Sequence, residues 1–360
     1  MFSGSYSAGD VSFLLKNISL PSISIEDKEK RIQSNTSHYS EMITYEKAPT
    51  SQYMEIFYAT VKSNGGKFAE HLYLLAEQIH QGKNGRDIVL VSLARAGTPV
   101  GVIVKKILET YFKRNVVHYS VSIIRDKGLD LNALKFITNQ YPSQDILFVD
   151  GWTGKGVIGQ ELKTSVEHFN KLNTTEVNPD LYVVADISGT AHWSATSEDY
   201  LIPSAVLNST VSGLISRTIL NTNFILPHEF HGCVYYENLE KNDISNWFIS
   251  HMMEKVSQGI SVYKLSNKSV ANKQHLQAQS RLTIDKFLTQ YGLDNQNYVK
   301  PGIGESTRVL LRRVPKELWI KNRSDNHIKH LLHLAEMKNI PVQEDANMCY
   351  NCVAIIAEID

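Results

Sequence analysis

Two short, almost wholly apolar runs, each ending in a turn of small residues that opens a helical pattern, constrain this chain most. Residues 87–93 read DIVLVSL and residues 145–149 read DILFV. Apolar runs of this length, bounded by turn signals, fit strands covered on both faces, as in a parallel sheet. The first run leads through ARAGTPVG (residues 94–101) into a helix over 102–112. The second leads through DGWTGKG (150–156) into a helix to about residue 170. Residues 116–124 add a strand in which Val117, Tyr119, Val121 and Ile123 alternate, and LYVVAD (181–186) adds another. Upstream, Phe68, Leu72, Leu75 and Ile79 recur at helical spacing, with Gly82 closing that helix. Strands alternating with helices predict a doubly wound, mostly parallel α/β sheet, whose ligands bind beyond the C-terminal strand ends.

The rest of the chain divides around this core. Residues 1–60 read as an N-terminal extension packing on it, 61–256 as the α/β domain, 257–306 as a helical and linker segment, and 307–360 as a small α/β module. Within these, 209–220 is expected to be a short helix, 230–236 a strand, and Asp243 a cap for a helix carrying Ile244, Trp247, Phe248 and Met252. The module is expected to hold a strand over 308–314, a helix face at Ile328, Leu331, Leu332 and Ala335, and a final strand over 352–359.

Lys+Arg and Asp+Glu both total 37, so a protein that binds polyanions over its whole surface is excluded, while a local basic face is not. Three cysteines, Cys233, Cys349 and Cys352, are too few for a disulfide framework, and the odd count points to a reducing compartment. No apolar run reaches the roughly 18–20 residues of a membrane span, and the start of the chain does not read as a secretory signal. The expectation is a soluble, cytoplasmic protein with no membrane partner.

The two turns carry the chemistry. After the second strand, Asp150 stands at the strand tip, then Gly151, Trp152, Thr153, Gly154, Lys155 and Gly156 open a helix. Helix N-terminal amides and glycines form an anion seat, Thr153 adds a hydroxyl and Lys155 a point charge. A capped structural turn is the competing reading; the P-loop spacing is not met. In the first turn Ala94, Ala96, Gly97 and Thr98 allow close backbone approach, and Arg95 offers a planar fork suited to phosphate oxygens. Asp186 at a strand end, and Asn208, Ser209, Thr210 and Arg217 further on, are candidates for an acceptor side; turn and helix capping are their alternatives.

The two turns, in this order, resemble those of the type I phosphoribosyltransferases. SGSYSAGDVSFLLK (3–16), HYSVSIIRDKG (118–128), VDGWTGKG (149–156), IPSAVLNSTVSGLISRT (202–218) and FHGCVYYENL (230–239) resemble one bacterial family. It comprises phosphoribosyltransferase-like proteins associated with tellurium-resistance and stress operons, labelled StiP, with a C-terminal Pelota-type RNA-binding domain that VLLRRVP (309–315) resembles. The resemblance implies an enzyme binding 5-phosphoribosyl-1-pyrophosphate (PRPP) or a nucleotide with Mg²⁺. It would transfer phosphoribose to or from a base-like acceptor. Asp150, Arg95 and Lys155 would be its catalytic groups, and Asp150 would act on Mg²⁺ indirectly. Arg125, Asp126 and Lys127 (within RDKGLD, 125–130) fall where that superfamily has a mobile lid. One departure stands out: the superfamily's second strand-tip acid is replaced here by Gly151. That favours the alternative of a non-catalytic, ligand-sensing RNA-binding regulator.

In the module, Arg312, Arg313 and Lys316, within a basic cluster from Arg308 to Arg323, are RNA candidates, against a solvated basic face. Cys349 and Cys352 form a lone C-x-x-C; structural zinc needs two more ligands, and His327, His330 and His333 are available in sequence but on a predicted helix at spacing that partly serves its packing. The label cysteine protease also attaches to this family. The sequence lends it little: Cys233 follows His231 at strand spacing, with no oxyanion-hole signature.

Overall fold

The computed structural model describes residues 1–34, 36–263 and 272–357. Its principal sheet runs in the order β1 (Ser12–Leu14), β6 (Val116–Ile124), β5 (Ile88–Ala94), β8 (Ile146–Thr153), β9 (Leu181–Asp186) and β10 (Trp193–Thr196). Every neighbouring pair along that path is parallel. The expected mostly parallel α/β sheet is therefore present. The two apolar runs became its centre because their side chains alternate between two cores. Ile88 and Leu90 of β5 face one, and Val89, Val91 and Leu93 face the other.

Helices α2 (Ser51–Gly82), α3 (Thr98–Phe112) and α6 (Ser245–Tyr263) cover the first face, with Phe68, Leu72, Leu75, Ile103, Ile107, Phe248 and Met252 buried there. The periodic residues read from the sequence are thus core residues, on a helix that starts well before them. Helices α4 (Leu131–Thr138) and α5 (Val157–Asn173) cover the second face through Leu134, Ile137, Leu162, Val166 and Phe169. Residues 1–60 are more than an extension: β1 is the sheet's edge strand, and α2 belongs to the main core. Short parallel pairs join β2 (Lys16–Asn17) to β11 (Gly232–Cys233) and β3 (Ser22–Ile23) to β4 (Ile43–Thr44), and α1 (Ile25–Gln33) lies between the latter two strands. The strand expected over 230–236 contracts to β11. The helix expected over 209–220 is one 3₁₀ turn at Ser209–Val211, after which backbone bridges from Ile215 and Ile219 hold the chain extended.

The C-terminal module has four strands in the order β12 (Val299–Pro301), β15 (Cys352–Ile356), β13 (Pro315–Ile320) and β14 (Val342–Glu344), with α7 (Lys273–Tyr291), α8 (Ile303–Arg312) and α9 (Lys329–Met337). Ile284 and Phe287 of α7 share a core with Val299, Val353 and Ile355. The span read as a helical and linker segment, 257–306, divides: α6 ends in it, α7, β12 and the start of α8 belong to the module, and 264–271 lie outside the described residues. Residues 308–314, expected as a strand, mostly lie in α8, because Ile303, Thr307 and Leu310 bury one helical face. The last strand ends at Ile356, and residues 358–360 lie outside the described residues.

The module is clamped to the sheet. Half-buried Asp199 accepts from the Ile303 amide at 2.8 Å and the Asn351 amide at 3.0 Å, while its own carbonyl accepts from the Asn351 side chain at 2.9 Å. Tyr350 donates to the Gly154 carbonyl at 3.0 Å. No helix among the described residues is long and apolar enough to cross a membrane.

Candidate functional site

The chain leaves β5 toward β6 on one side, then returns to lay β8 on the other. A crevice opens beyond the strand ends wherever the winding reverses in this way. Both predicted turns line it: Ala94, Arg95 and Ala96 after β5, then Asp150, Trp152, Thr153, Gly154, Lys155 and Gly156 at the end of β8. Arg95 and Lys155 thus share one cleft. Gly97, Thr98 and Gly151 do not line it. A Cβ on Gly97 would stand 2.9 Å from the Leu93 and Val149 carbonyl oxygens, so glycine lets the turn settle between two strands. The buried Thr98 hydroxyl lies 2.8 Å from that of Ser120 and braces the same turn.

The facing wall comes from the module: Asn297, Lys300, Pro301, Glu305 and Arg308. Past Arg95 the cleft widens into a chamber of about 860 Å³ that adds Lys28, Glu46, Arg312 and Arg313, with Tyr39, Tyr45, Tyr53, Tyr236 and Tyr298. Tyr39, Glu46, Lys300 and Glu305 escaped the sequence reading. Lys300 and Glu305 lay in a Pro- and Gly-bearing stretch read as linker, and nothing local in residues 39–46 marks a site.

Cations outnumber acids here, and burial makes them repel one another. Burial, then Lys300 close by, pushes the Lys155 ammonium down to about 7. Burial lowers Lys300 to about 8, against the pull of Glu305. Burial and then Arg308 take Arg312 to about 9, and burial chiefly takes Arg217 to about 10. Burial alone would raise the Glu305 carboxyl, but Arg308, Lys300 and Lys155 hold it below its ordinary value. Asp150 moves the other way, to about 7, because burial outweighs its 2.7 Å bond from the Gly151 amide. Protein groups already engage several cations. Lys155 donates to the carbonyls of Gln296 at 2.6 Å and Val299 at 3.0 Å, and Arg125 donates to Asn297. Arg312 donates to the Val206 carbonyl, yet its buried Nε has no hydrogen-bond partner.

Several expected roles are corrected. Of the expected lid residues Arg125, Asp126 and Lys127, Arg125 lines the cleft and Asp126 the chamber, but the segment is short. They make the tight turn between β6 and the short antiparallel strand β7 (Gly128–Leu129), and the Lys127 amide donates to the Ile124 carbonyl at 3.1 Å. Asp186 caps a turn: its carboxylate accepts from the amides of Ser188 at 3.0 Å and Ala191 at 2.8 Å. Thr210 is buried away from the cleft and Asn208 lines the chamber. Ser209 binds Glu46, while Arg217 does line the cleft and donates to the carbonyls of Tyr39 and Met42. Of the RNA candidates, Arg312 and Arg313 face the chamber, Arg313 pairing with Glu29 at 2.9 Å, whereas Lys316 lies outside it over the Tyr291 ring. Among the described residues no three His, Cys, Asp or Glu side chains converge to hold a metal ion directly.

The sequence model of a family described as "Tellurite-like stress resistance cysteine protease StiP" matches residues 4–253. This chain belongs to the StiP family. A second model, "PELOTA RNA binding domain", matches residues 278–358, the module that begins with α7. A relative from Acinetobacter baylyi, named "Cysteine protease StiP", is 36% identical over 99% of this chain and 95% of its own length. Among solved structures, a hypoxanthine-guanine phosphoribosyltransferase from Bacillus anthracis is similar over 43% of this chain and 84% of its own, at 13% identity and a TM-score of 0.27. A hypothetical protein from Neisseria gonorrhoeae with bound ppGpp is similar over 37% and 80%, at 15% identity and a TM-score of 0.23. TM-scores of that size fall short of a shared fold.

The family overturns the expected activity. Its description and the relative's name give a cysteine protease of stress resistance, so phosphoribosyl transfer, PRPP sensing and the glycosyltransferase class are withdrawn. The stress-resistance association and the Pelota-type module stand. Within the StiP match the chain holds one thiol, Cys233, fully buried and pushed by burial up to about 12. The neighbouring His231 ring is 2.8 Å from the Ser122 hydroxyl, and its amide donates to Asp130 at 2.6 Å. Burial also raises Cys349 and Cys352 in the module.

Proposed function

We propose that this StiP-family chain binds a single-stranded segment of RNA in the cleft between its sheet and its Pelota-type module. The observation that carries the reading is the convergence of arginines and lysines from both domains on one chamber that tyrosines also line. A positive groove with aromatic side chains suits single strands, because cations follow the phosphates and bases stack on rings. Tyr45 supports this: the residue is 62% exposed at the chamber's edge. Tyr39 orders the guanidinium groups of Arg125 and Arg217 at 5.2 and 5.5 Å from its ring centre. The match of residues 278–358 to an RNA-binding domain points the same way. The test is fluorescence anisotropy with a labelled oligoribonucleotide across a salt series. Binding should weaken with salt, and a paired Arg308→Ala and Arg312→Ala variant should lose at least tenfold in affinity. Equal affinity in that variant, or none in the parent at low salt, would defeat the reading.

A second reading follows the relative's name: a thiol peptidase. Cys233 is its candidate nucleophile, being the cysteine inside the StiP match and two residues from His231. With that thiol buried and protonated, the chemistry requires the β2–β11 pair to open first. Proteolysis that persists in Cys233→Ala would remove this reading.

A further inference from the structure

Residues 45–49 run without regular structure between β4 and α2, and Tyr45, Lys47 and Ala48 are exposed. Between them one carboxylate turns inward. Glu46 Oε2 accepts from the Arg95 guanidinium at 3.0 Å, while Oε1 accepts from the Ser209 amide at 2.8 Å and the Ser209 hydroxyl at 2.5 Å. Side-chain exposures of 16% and 14% leave Glu46 and Arg95 mostly shielded, and Ser209 is fully buried. Three donors thus converge on the two oxygens of one carboxylate, from the turn after β5 and from the 3₁₀ turn at residue 209. Such a set recognises an oxyanion, whether carboxylate or phosphate.

The location gives the arrangement meaning. Arg95 belongs to both parts of the cleft, and Glu46 lies in the chamber wall. Two other acids nearby pair with arginines of the module, Glu29 with Arg313 and Glu305 with Arg308, while Asp126 lies beside Arg125 of its own turn. Glu46 instead fills a seat built by the α/β domain, and it arrives on an irregular segment with exposed flanks. Such a segment yields more readily than a strand or helix, since few backbone bonds break when it moves.

We infer that Arg95 and the amide and hydroxyl of Ser209 form a phosphate seat that Glu46 fills as an internal stand-in, and that a phosphate of the bound RNA displaces it. The inference rests on the RNA reading above. Displacement exchanges one anion for another, so the seat's charge balance is kept while Glu46 swings into solvent. Affinity in the parent is then a competition between Glu46 and phosphate.

Glu46→Gln weakens the occupant with little change in shape. It should bind the oligoribonucleotide about fivefold more tightly, with the slope of log affinity against log salt unchanged, because the same number of phosphates is contacted in both proteins. Adding Arg95→Ala to Glu46→Gln should abolish that gain. A thermal melt of each variant identifies any that fail to fold, and Glu46→Asp, which shortens the reach but keeps the charge, then serves in place of Glu46→Gln. Calorimetry with inorganic tripolyphosphate reads the seat separately from RNA. Tighter tripolyphosphate binding by the variant sustains the seat even where RNA fails to bind. If the folded variant matches the parent toward both ligands, Glu46 is a structural ion pair and the inference is overturned, with the RNA reading still judged by Arg308 and Arg312.

Discussion

Replacing Asp199 with asparagine tests whether the module is held on the sheet by one carboxylate. In the parent each carboxylate oxygen takes one backbone amide, from Ile303 at α8 and from half-buried Asn351 before β15. An asparagine side chain has one acceptor oxygen and one NH₂, so one of those amides would face a donor. An orphaned buried donor costs about 1–3 kcal/mol, and the opposed donors add to that, giving a loss of about 2–3 kcal/mol. The assay is urea unfolding of the full chain, followed by the fluorescence of its tryptophans. Trp152 packs within 3.8 Å of the position a Cβ on Gly304 would take, and Trp319 lies in β13, so both report on the module. The pH dependence gives a second check. Burial raises the Asp199 carboxyl to about 6 from an ordinary 3.8. The folded protein therefore holds that proton more tightly than the unfolded chain does. The contribution of Asp199 to stability is fully present below about pH 4 and is lost as the pH rises through 6. The Asp199→Asn variant has no such proton, so the parent's advantage should grow by roughly 1 kcal/mol from about pH 8 to about pH 5. A difference below about 0.5 kcal/mol at both pH values would refute the clamp.

RNA affinity should fall as the pH rises from about 6 to about 8.5, because Lys155, at about 7, and Lys300, at about 8, lose their charges across that window; anisotropy at fixed ionic strength checks it, and Lys155→Met should flatten the lower part of the curve. Phe68→Ala, at a fully buried site, should cost about 3–5 kcal/mol in urea unfolding through the cavity it leaves. Cys233 should resist iodoacetamide in the native protein, while the partly exposed Cys349 reacts first, as mass spectrometry of the labelled peptides would show.

The sheet was legible because its central strands carry their signal within a few residues: an apolar run, then a small-residue turn. The same locality put Arg95 and Lys155 in one cleft, since sheet winding alone brings the ends of β5 and β8 together. Other features depend on distant partners. Residues 303–312 contain Gly304, Thr307 and Val309, which locally oppose a helix, and burial of Ile303, Thr307 and Leu310 overrides that preference. Asp186 at a strand tip suited an acceptor but caps its own turn, and RDKG after β6 suited a lid but forms a tight turn from which Arg125 reaches Asn297 across the cleft. Glu46 could not be read at all: its partner Ser209 lies far along the chain, and only the folded N-terminal segment brings the two together. Activity was the least legible. The two turns resembled those of phosphoribosyltransferases, while the family match assigns another chemistry, consistent with one kind of scaffold hosting unrelated sites.

The edge position of β1 bears on how the chain emerges from a ribosome. Phe13 and Leu14 are fully covered only when Ser12 aligns with Tyr119 and Leu14 with Val121. At ordinary synthesis rates that partner appears roughly 5–20 s after β1 itself. Through that interval the apolar segment has no strand of its sheet to pair with, because β5 too must wait for β6 or β8, and a slower-translating message would lengthen the exposure.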